Sequence, residues 1–485
     1  MVAACRLYAL VSVLISLVPA SSAVSSPCSA LCNQQLAREA LEQLYTALRY
    51  SNDGNWRSQT DFCLWPGVSC CVEASVQTDS GQPVCGAGCS AMPTAVSLAD
   101  LGLNGSLRLA ETWGHPLSCS LLSLDLGQNP LLEATIPDAF SQLTALTYLN
   151  MEKSGLQGSL PASLSALSQL TFLGLNENQL TGSIPDAAWA AGMASLQFLE
   201  LSRNQLTGSC PAALLAQTRL RKLDVSHNRL RGSIPTSWGR NSSRQAGATS
   251  SLSWLDLSGN RLTGTFPPSL TKLSIDFLDL SGNSLHGPLP TLTTMPVSIL
   301  RLGNNQLSGT LPALSTSLRE LVLRGNRFNG VLPQGLSRML SLHALVLAGN
   351  PLQGALPDSL GTLKELSLVD VRNTSLTSTA PLGAAGDALL PTWLAFDTKY
   401  PVLDTVESQL ICPRILPRKA ALPGNIPVQV LLPATYYRYW GCKCASGFLL
   451  QPCSSPPCNA SACVAEVGCR LADQSWMQGS CRMGI

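Results

Sequence analysis

Charge is what this chain has least of. Only 12% of its 485 residues are Asp, Glu, Lys or Arg, and the formal net charge is +2, where an average soluble domain is about 25% charged. Such a balanced surface is a poor electrostatic match for nucleic acid or an anionic membrane, so neither is expected as a partner. Histidine is nearly absent: His115, His227, His286 and His343 lie far apart, and none has a Cys or His neighbour at metal-ligand spacing. No metal and no cofactor is therefore expected. There is no G-x-S-x-G elbow, no H-E-x-x-H pair and no phosphate loop, and carboxylates are sparse. An enzyme is not expected. Long apolar runs are missing too. Past the N-terminus no window offers about eighteen uncharged apolar residues, and the C-terminus lacks the apolar tail of a lipid-anchor signal, so no membrane span is expected.

Cysteine is scarce only in the middle. Setting aside Cys5, eight cysteines lie between Cys28 and Cys119 and eight between Cys412 and Cys481, with Cys210 alone between the two groups. Residues 1–23 carry Arg6, an apolar run from Leu7 to Val18 and a small-residue end, which is the layout of a cleaved secretory signal. In an exported chain those cysteines read as disulfides stapling two ends. Cys210, at a position where sister segments place Ile, Leu or Phe, reads as a buried free thiol. Sequons at Asn104, Asn241, Asn373 and Asn459 suit a secreted, extracellular glycoprotein. The balance of cysteines at the two ends favours a soluble extracellular unit.

What the middle has in abundance is one repeated phrase. Leu173-Gly-Leu175-Asn-Glu-Asn178-Gln-Leu180-Thr-Gly182-Ser-Ile184-Pro185 is followed by Leu199-Glu-Leu201-Ser-Arg-Asn204-Gln-Leu206-Thr-Gly208-Ser-Cys210-Pro211. Its marker position falls at Leu101, Asn129, Ser154, Asn178, Asn204, Asn228, Asn260, Asn283, Asn305, Asn326, Asn350 and Thr374, mostly in steps of 21 to 28 residues. A period of that size announces a solenoid. The L-x-L alternation predicts a strand with its leucines turned inward. The Asn offers side-chain bonds to backbone left unpaired by the bend. The Gly permits the conformation after it, and Ile-Pro brings an apolar residue in ahead of a segment barred from a central ladder. One such coil buries too little to fold alone, so the coils must stack.

The twelve-fold L-x-x-L-x-L-x-x-N-x-L-x-G-x-I-P pattern resembles the plant-type leucine-rich repeat over about residues 96–381. The resemblance implies an α/β solenoid: a leucine-rich-repeat horseshoe with a concave parallel β-sheet, twelve coils and disulfide-rich caps at both ends. The expected organisation is a signal at 1–23, a cysteine-rich N-terminal cap at 24–95, repeats at 96–381, a C-terminal cap and linker at 382–435 and a cysteine-rich tail at 436–485. The 32-residue step from Asn228 to Asn260 is an insertion, and its sequon at Asn241 places it in solvent.

Leu36, Leu41, Leu44 and Leu48 recur at near-helical spacing behind Asn33, a candidate N-cap. That helix, Trp56 and "CLWPGVSC" from Cys63 to Cys70 are similar to the N-terminal cap of plant leucine-rich-repeat ectodomains, and this similarity implies a Cys63–Cys70 bond. At the far end, Cys442-Lys-Cys444-Ala-Ser-Gly447-Phe448-Leu-Leu-Gln-Pro-Cys453 fits only the closing half of an epidermal-growth-factor-like module.

A partner would land on the outward strand positions, where successive coils present columns. One column reads Tyr148, Phe172, Phe198, Lys222, Trp254, Phe277 and Ile299, rimmed by Glu152, Lys153, Glu177, Glu200, Arg203, Asp224, His227, Asp256, Asp279, Arg301 and Arg324. The same rings admit two readings: packing along a strand, which β-propensity favours, or anchors for a ligand. The chosen site is Tyr148, Phe172, Phe198, Lys222, Trp254 and Phe277 with Arg203, Asp224, Asp256 and Asp279. The resemblance implies a non-enzymatic recognition protein, secreted or receptor-like, that binds an extracellular protein, peptide or polysaccharide, with a co-receptor as a candidate further partner. Two alternatives are an inhibitor of a secreted wall-degrading hydrolase and a structural matrix protein. "LCN" at Leu31–Asn33 and "TDFC" at Thr60–Cys63 are similar to the opening of polygalacturonase-inhibiting proteins, although that family's doubled cysteine is Phe62-Cys63 here and its coil number is smaller.

Overall fold

The computed structural model describes residues 33–49, 61–71, 91–132, 134–185, 187–214, 219–238, 251–357, 360, 363–366 and 368–378, with the short strands Phe448–Leu450 and Cys469–Leu471. The expected signal, the sequons at Asn241 and Asn459, and the C-terminal regions apart from those two strands lie outside the described residues. The chain divides into two compact units, Met1–Lys222 and Leu223–Ile485.

The first unit opens with the helix Gln34–Ala47. Asn33 caps it as expected: its side-chain oxygen accepts from the backbone N–H groups of Gln35 and Leu36 at 3.0 and 3.2 Å. The buried stripe is Ala37, Ala40, Leu41, Leu44, Tyr45 and Leu48. Leu36 is 46% exposed, which corrects the spacing read from the leucines: the stripe starts one position later, at the fully buried Ala37. Trp113 Nε1 donates to the Ala40 carbonyl at 2.7 Å, and the Ser106 N–H donates to that of Ala47, tying the helix to the first repeats. Cys63 and Cys70 are bonded, as the family resemblance implied. Cys71 and Cys119 are also in disulfides.

The strand Val68–Cys70 pairs antiparallel with Pro93–Ser97; from there the strands of this sheet in the first unit pair parallel and in register. Leu124 faces Leu149, Leu149 faces Leu173 and Leu173 faces Leu199, so one residue of each L-x-L stacks on its counterpart. In the second unit Trp254–Asp256, Phe277–Asp279, Ile299–Arg301, Glu320–Val322, Ala344–Val346 and Leu368–Asp370 do the same. The inward leucines are 0% exposed from Leu124 and Leu126 through Leu345 and Leu347. This is the expected parallel-strand solenoid, of about eleven turns. Apolar side chains cover both flat faces of each coil, which is how stacking supplies the burial that a single coil lacks.

The marker asparagine does more than serve its own turn. Asn283 Nδ2 donates to the carbonyls of Leu280 and Ser281 in its own coil and to Leu257 in the coil before, while its Oδ1 accepts from the Leu262 N–H of that preceding coil. Asn129, Asn178, Asn204, Asn260, Asn305, Asn326 and Asn350 repeat the arrangement, and all are at most 9% exposed. Each therefore joins two coils, and the N–H it accepts from the preceding coil would otherwise be buried without a partner. At Ser154 the hydroxyl reaches only the Leu126 and Glu152 carbonyls, both at 2.9 Å. The coil before it has Pro130, which has no N–H, and one additional residue, Leu131, turned 62% into solvent. A shorter marker and a looped-out neighbour thus occur together.

The residue before each marker lies in the left-handed region in every coil, from Asp100 at φ 56° to Asn373 at φ 53°. Glycine takes it at Gly259, Gly282, Gly325 and Gly349, where the sequence reads Gly-Asn.

One feature of the coil was not expected. The L-x-G-x segment, read as a turn into Ile-Pro, forms parallel ladders of its own: Arg231–Ser233 with Arg261–Thr263, His286–Gly287 with Gln306–Thr310 and then Arg327–Asn329, and Gln353–Leu356 with Ser375–Ser378. In the first unit it appears as single bridges, such as Ser159 with Thr181 and Ser183 with Thr207. The proline bars pairing only from its own position onward; the N–H groups before it are free to pair.

Candidate ligand-binding face

Because Leu149 and Met151 point in, Tyr148 and Asn150 point out, and parallel register sets each beside its counterpart one coil on. In the first unit Tyr148 stacks on Phe172, with centroids 4.6 Å apart and planes at 13°. Phe198 follows at 6.4 Å and 41°. The Phe172 ring lies over Gly174 of its own strand: a Cβ there would come within 2.8 Å of Phe172 Cε1. Lys222 continues the column and meets Glu200 at 2.6 Å. Burial, and then Asp125, Glu152 and Glu200, push the Tyr148 hydroxyl pKa upward. Asp125 is itself raised by burial, partly offset by the Gly127 N–H and the Asn150 side chain.

Not all of the expected rim is a rim. Glu152 is 5% exposed and accepts from Gln128 and Asn176, so it belongs to an interior chain of bonds between coils. Arg203 is exposed in the left-handed turn position, beside the strand face rather than on it.

In the second unit Trp254 and Phe277 stack at 3.6 Å and 7°. Arg301 covers the other side of Phe277, its guanidinium carbon 5.5 Å from the ring. Phe277 is thereby 5% exposed and Asp279 8%; of the ten chosen residues these two are packed inside. The stacked rings turn their edges outward, since their faces are spent on one another. The next column brings Asp224, Asp256 and Asp279 onto consecutive strands, Asp256 directly opposite Asp279. Asp256 is half-buried and its pKa is pushed up to about 7, by burial first and the Asp224 charge next, against hydrogen bonds from Ser258 that lower it. Arg301 holds Glu320 with two bonds, Nε–Oε1 at 2.7 Å and Nη2–Oε2 at 3.1 Å, and lies 3.9 Å from Asp279. Glu320 was not among the expected residues, although extending the aromatic column past Ile299 leads to it.

Cys210 is a free, buried thiol, as expected, with its pKa pushed to about 12 by burial. Among the described residues no group of three or more His, Cys, Asp or Glu is arranged to hold a metal ion, and no helix is long and apolar enough to cross a membrane.

This coil, with its L-x-L strand, bridging Asn and second ladder, is that of a leucine-rich-repeat solenoid, and its pattern is similar to the plant type. A leucine-rich-repeat family model matches residues 195–216, 219–241, 251–273 and 317–339. No curated protein matches the chain. Among solved structures, the plant peptide hormone receptor RGFR1 in complex with RGF2 is 29% identical, with 60% of this chain and 45% of that chain aligned and a TM-score of 0.53. A TDR receptor is 26% identical over 57% of this chain and 50% of its own, with a TM-score of 0.50. The chain spans about half the length of these structures.

Proposed function

We propose that this chain is a non-enzymatic extracellular recognition protein that binds a peptide or protein segment along the outward face of its L-x-L strands. The observation that carries this reading is the outward columns of each unit, kept in register from coil to coil within it and left half-exposed at Tyr148 and Phe198 in the first unit and at Trp254, Asp224 and Asp256 in the second. Aligned aromatics are favoured anchors at protein interfaces, and a rigid scaffold presents them without an ordering cost on binding. The likeness to the plant peptide hormone receptor RGFR1, solved in complex with RGF2, supports the same use of the fold. Immobilised full chain, incubated with a secreted peptide and protein fraction, tests it: ligands identified by mass spectrometry should be retained by the wild type and lost on Phe198→Ala. Equal retention on both would refute the reading.

A further inference from the structure

The second-unit face carries a charge asymmetry that its own residues do not resolve. Asp224, Asp256 and Asp279 occupy one outward column on neighbouring strands, about 4.8 Å apart. Arg301 lies beyond Asp279, and it is engaged by both oxygens of Glu320. Among the described residues no ion pair reaches Asp224 or Asp256, whose carboxylates accept instead from the N–H and hydroxyl groups of Ser226 and from the N–H of Ser258. Trp254, half-buried and stacked on Phe277, gives an apolar wall beside them, and an ion pair sheltered by such a wall is stronger than one in open water.

We propose, on the reading of this face as a recognition surface, that it docks a segment of an extracellular protein or peptide through a lysine or arginine side chain, which is received between Asp224 and Asp256 against the Trp254 edge. Charge complementarity selects that occupant: an acidic ligand would meet the Asp224 and Asp256 carboxylates, and a purely apolar one would cover both without neutralising either.

The same geometry makes the docking pH-dependent. The groups facing Asp256 are Asp224 on one side and Asp279 on the other, with Arg301 and its partner Glu320 beyond, and Ser258 at the turn. The carboxyl of Asp256, held up to about 7 in the free protein, must be ionised to receive a cation. Lowering the pH from 8 to 5.5 therefore weakens binding, by about tenfold for one group titrating in that interval.

A display library of random dodecapeptides, selected on the immobilised full chain at pH 8 and depleted on the Asp256→Asn variant, tests this. Selected sequences should be enriched in Lys or Arg. A synthetic copy of the leading peptide should lose about tenfold in affinity when its cation is replaced by Gln, when Asp256→Asn or Asp224→Asn replaces wild type, and at pH 5.5. The melting temperature of each variant separates a lost contact from a lost fold. Peptides that lack a cation and bind Asp256→Asn as tightly as wild type overturn the cation inference while leaving recognition by this face intact. If the library yields no binder that Phe198→Ala or Trp254→Ala weakens, both fall.

Discussion

Replacing Asn283 by Ala should be among the most costly single changes in the repeats. Its Nδ2 donates at 3.0, 3.1 and 3.3 Å to Leu257, Leu280 and Ser281, and its Oδ1 accepts from Leu262 at 3.0 Å. The residue is 9% exposed, so water has no ready route to these groups. Losing about four bonds at roughly 1 kcal/mol each, with the Leu262 N–H left buried and unpaired while the Leu257 carbonyl keeps its bond from Asn260, gives about 3–5 kcal/mol. Ser154→Ala is the internal control. It removes one hydroxyl bonded to two carbonyls and should cost about 1–2 kcal/mol. Urea unfolding followed by far-UV circular dichroism measures both. Because repeat arrays can lose two-state behaviour, the comparison also needs the slope of the transition to be unchanged between variants. A cost for Asn283→Ala below about 1 kcal/mol, or one equal to that of Ser154→Ala, would refute the idea that the asparagine joins adjacent coils.

Three further outcomes are expected. Gly259→Ala should cost more stability than Gly232→Ala: both sit at positive φ, 62° and 79°, but a Cβ at Gly259 would lie 2.6 Å from His227 Nδ1, whereas at Gly232 nothing lies within 4 Å. Thermal melts should rank them in that order, with about 1 kcal/mol for the Gly232 change, set by backbone conformation alone. Cys210 should resist thiol reagents in the native protein and react on unfolding, since it is 3% exposed and its pKa is about 12; labelling at native pH followed by intact-mass measurement reads this directly. Asp256 has a folded pKa of about 7, above the ordinary aspartate value of 3.8, so it holds its proton more tightly when folded. Stability from this group is present at low pH and is lost as pH rises from about 4 through 7, by about 2 kcal/mol after allowance for solvent screening. Asp256→Asn should flatten that part of the melting-temperature profile and raise it at pH 8; an unchanged slope would contradict the assigned cause.

The sequence was legible where one coil suffices to decide. Inward leucines follow from alternation, the Asn33 cap from a polar residue before an apolar stripe, and the burial of Cys210 from its neighbours in the repeat. It was opaque where the deciding atom sits one coil away. Asn283 reads as a turn residue until Leu262, 21 positions earlier, is seen to donate to it. Glu152 reads as a surface charge until Gln128 and Asn176 close over it. Phe277 and Asp279 read as exposed until Arg301 folds across them, an outcome of side-chain packing that no alternation pattern encodes. The ladders of the L-x-G-x segments were readable in part, since Leu206-Thr-Gly-Ser-Cys210 alternates as a strand does, but Gly and Pro mask that signal.

The claim that the outward strand face is a binding surface is tested most directly by the affinity of a captured ligand for Phe198→Ala beside that for Val331→Ala. Phe198 is the loosest ring of its column, 6.4 Å from Phe172, so its truncation costs the least packing, and Val331 is 63% exposed in the coil segment just after the L-x-G ladder. Measured by isothermal titration at equal folded fraction, Phe198→Ala should weaken binding at least about tenfold and Val331→Ala should leave it unchanged. Unaltered affinity for Phe198→Ala, or a loss as large for Val331→Ala, would contradict the account.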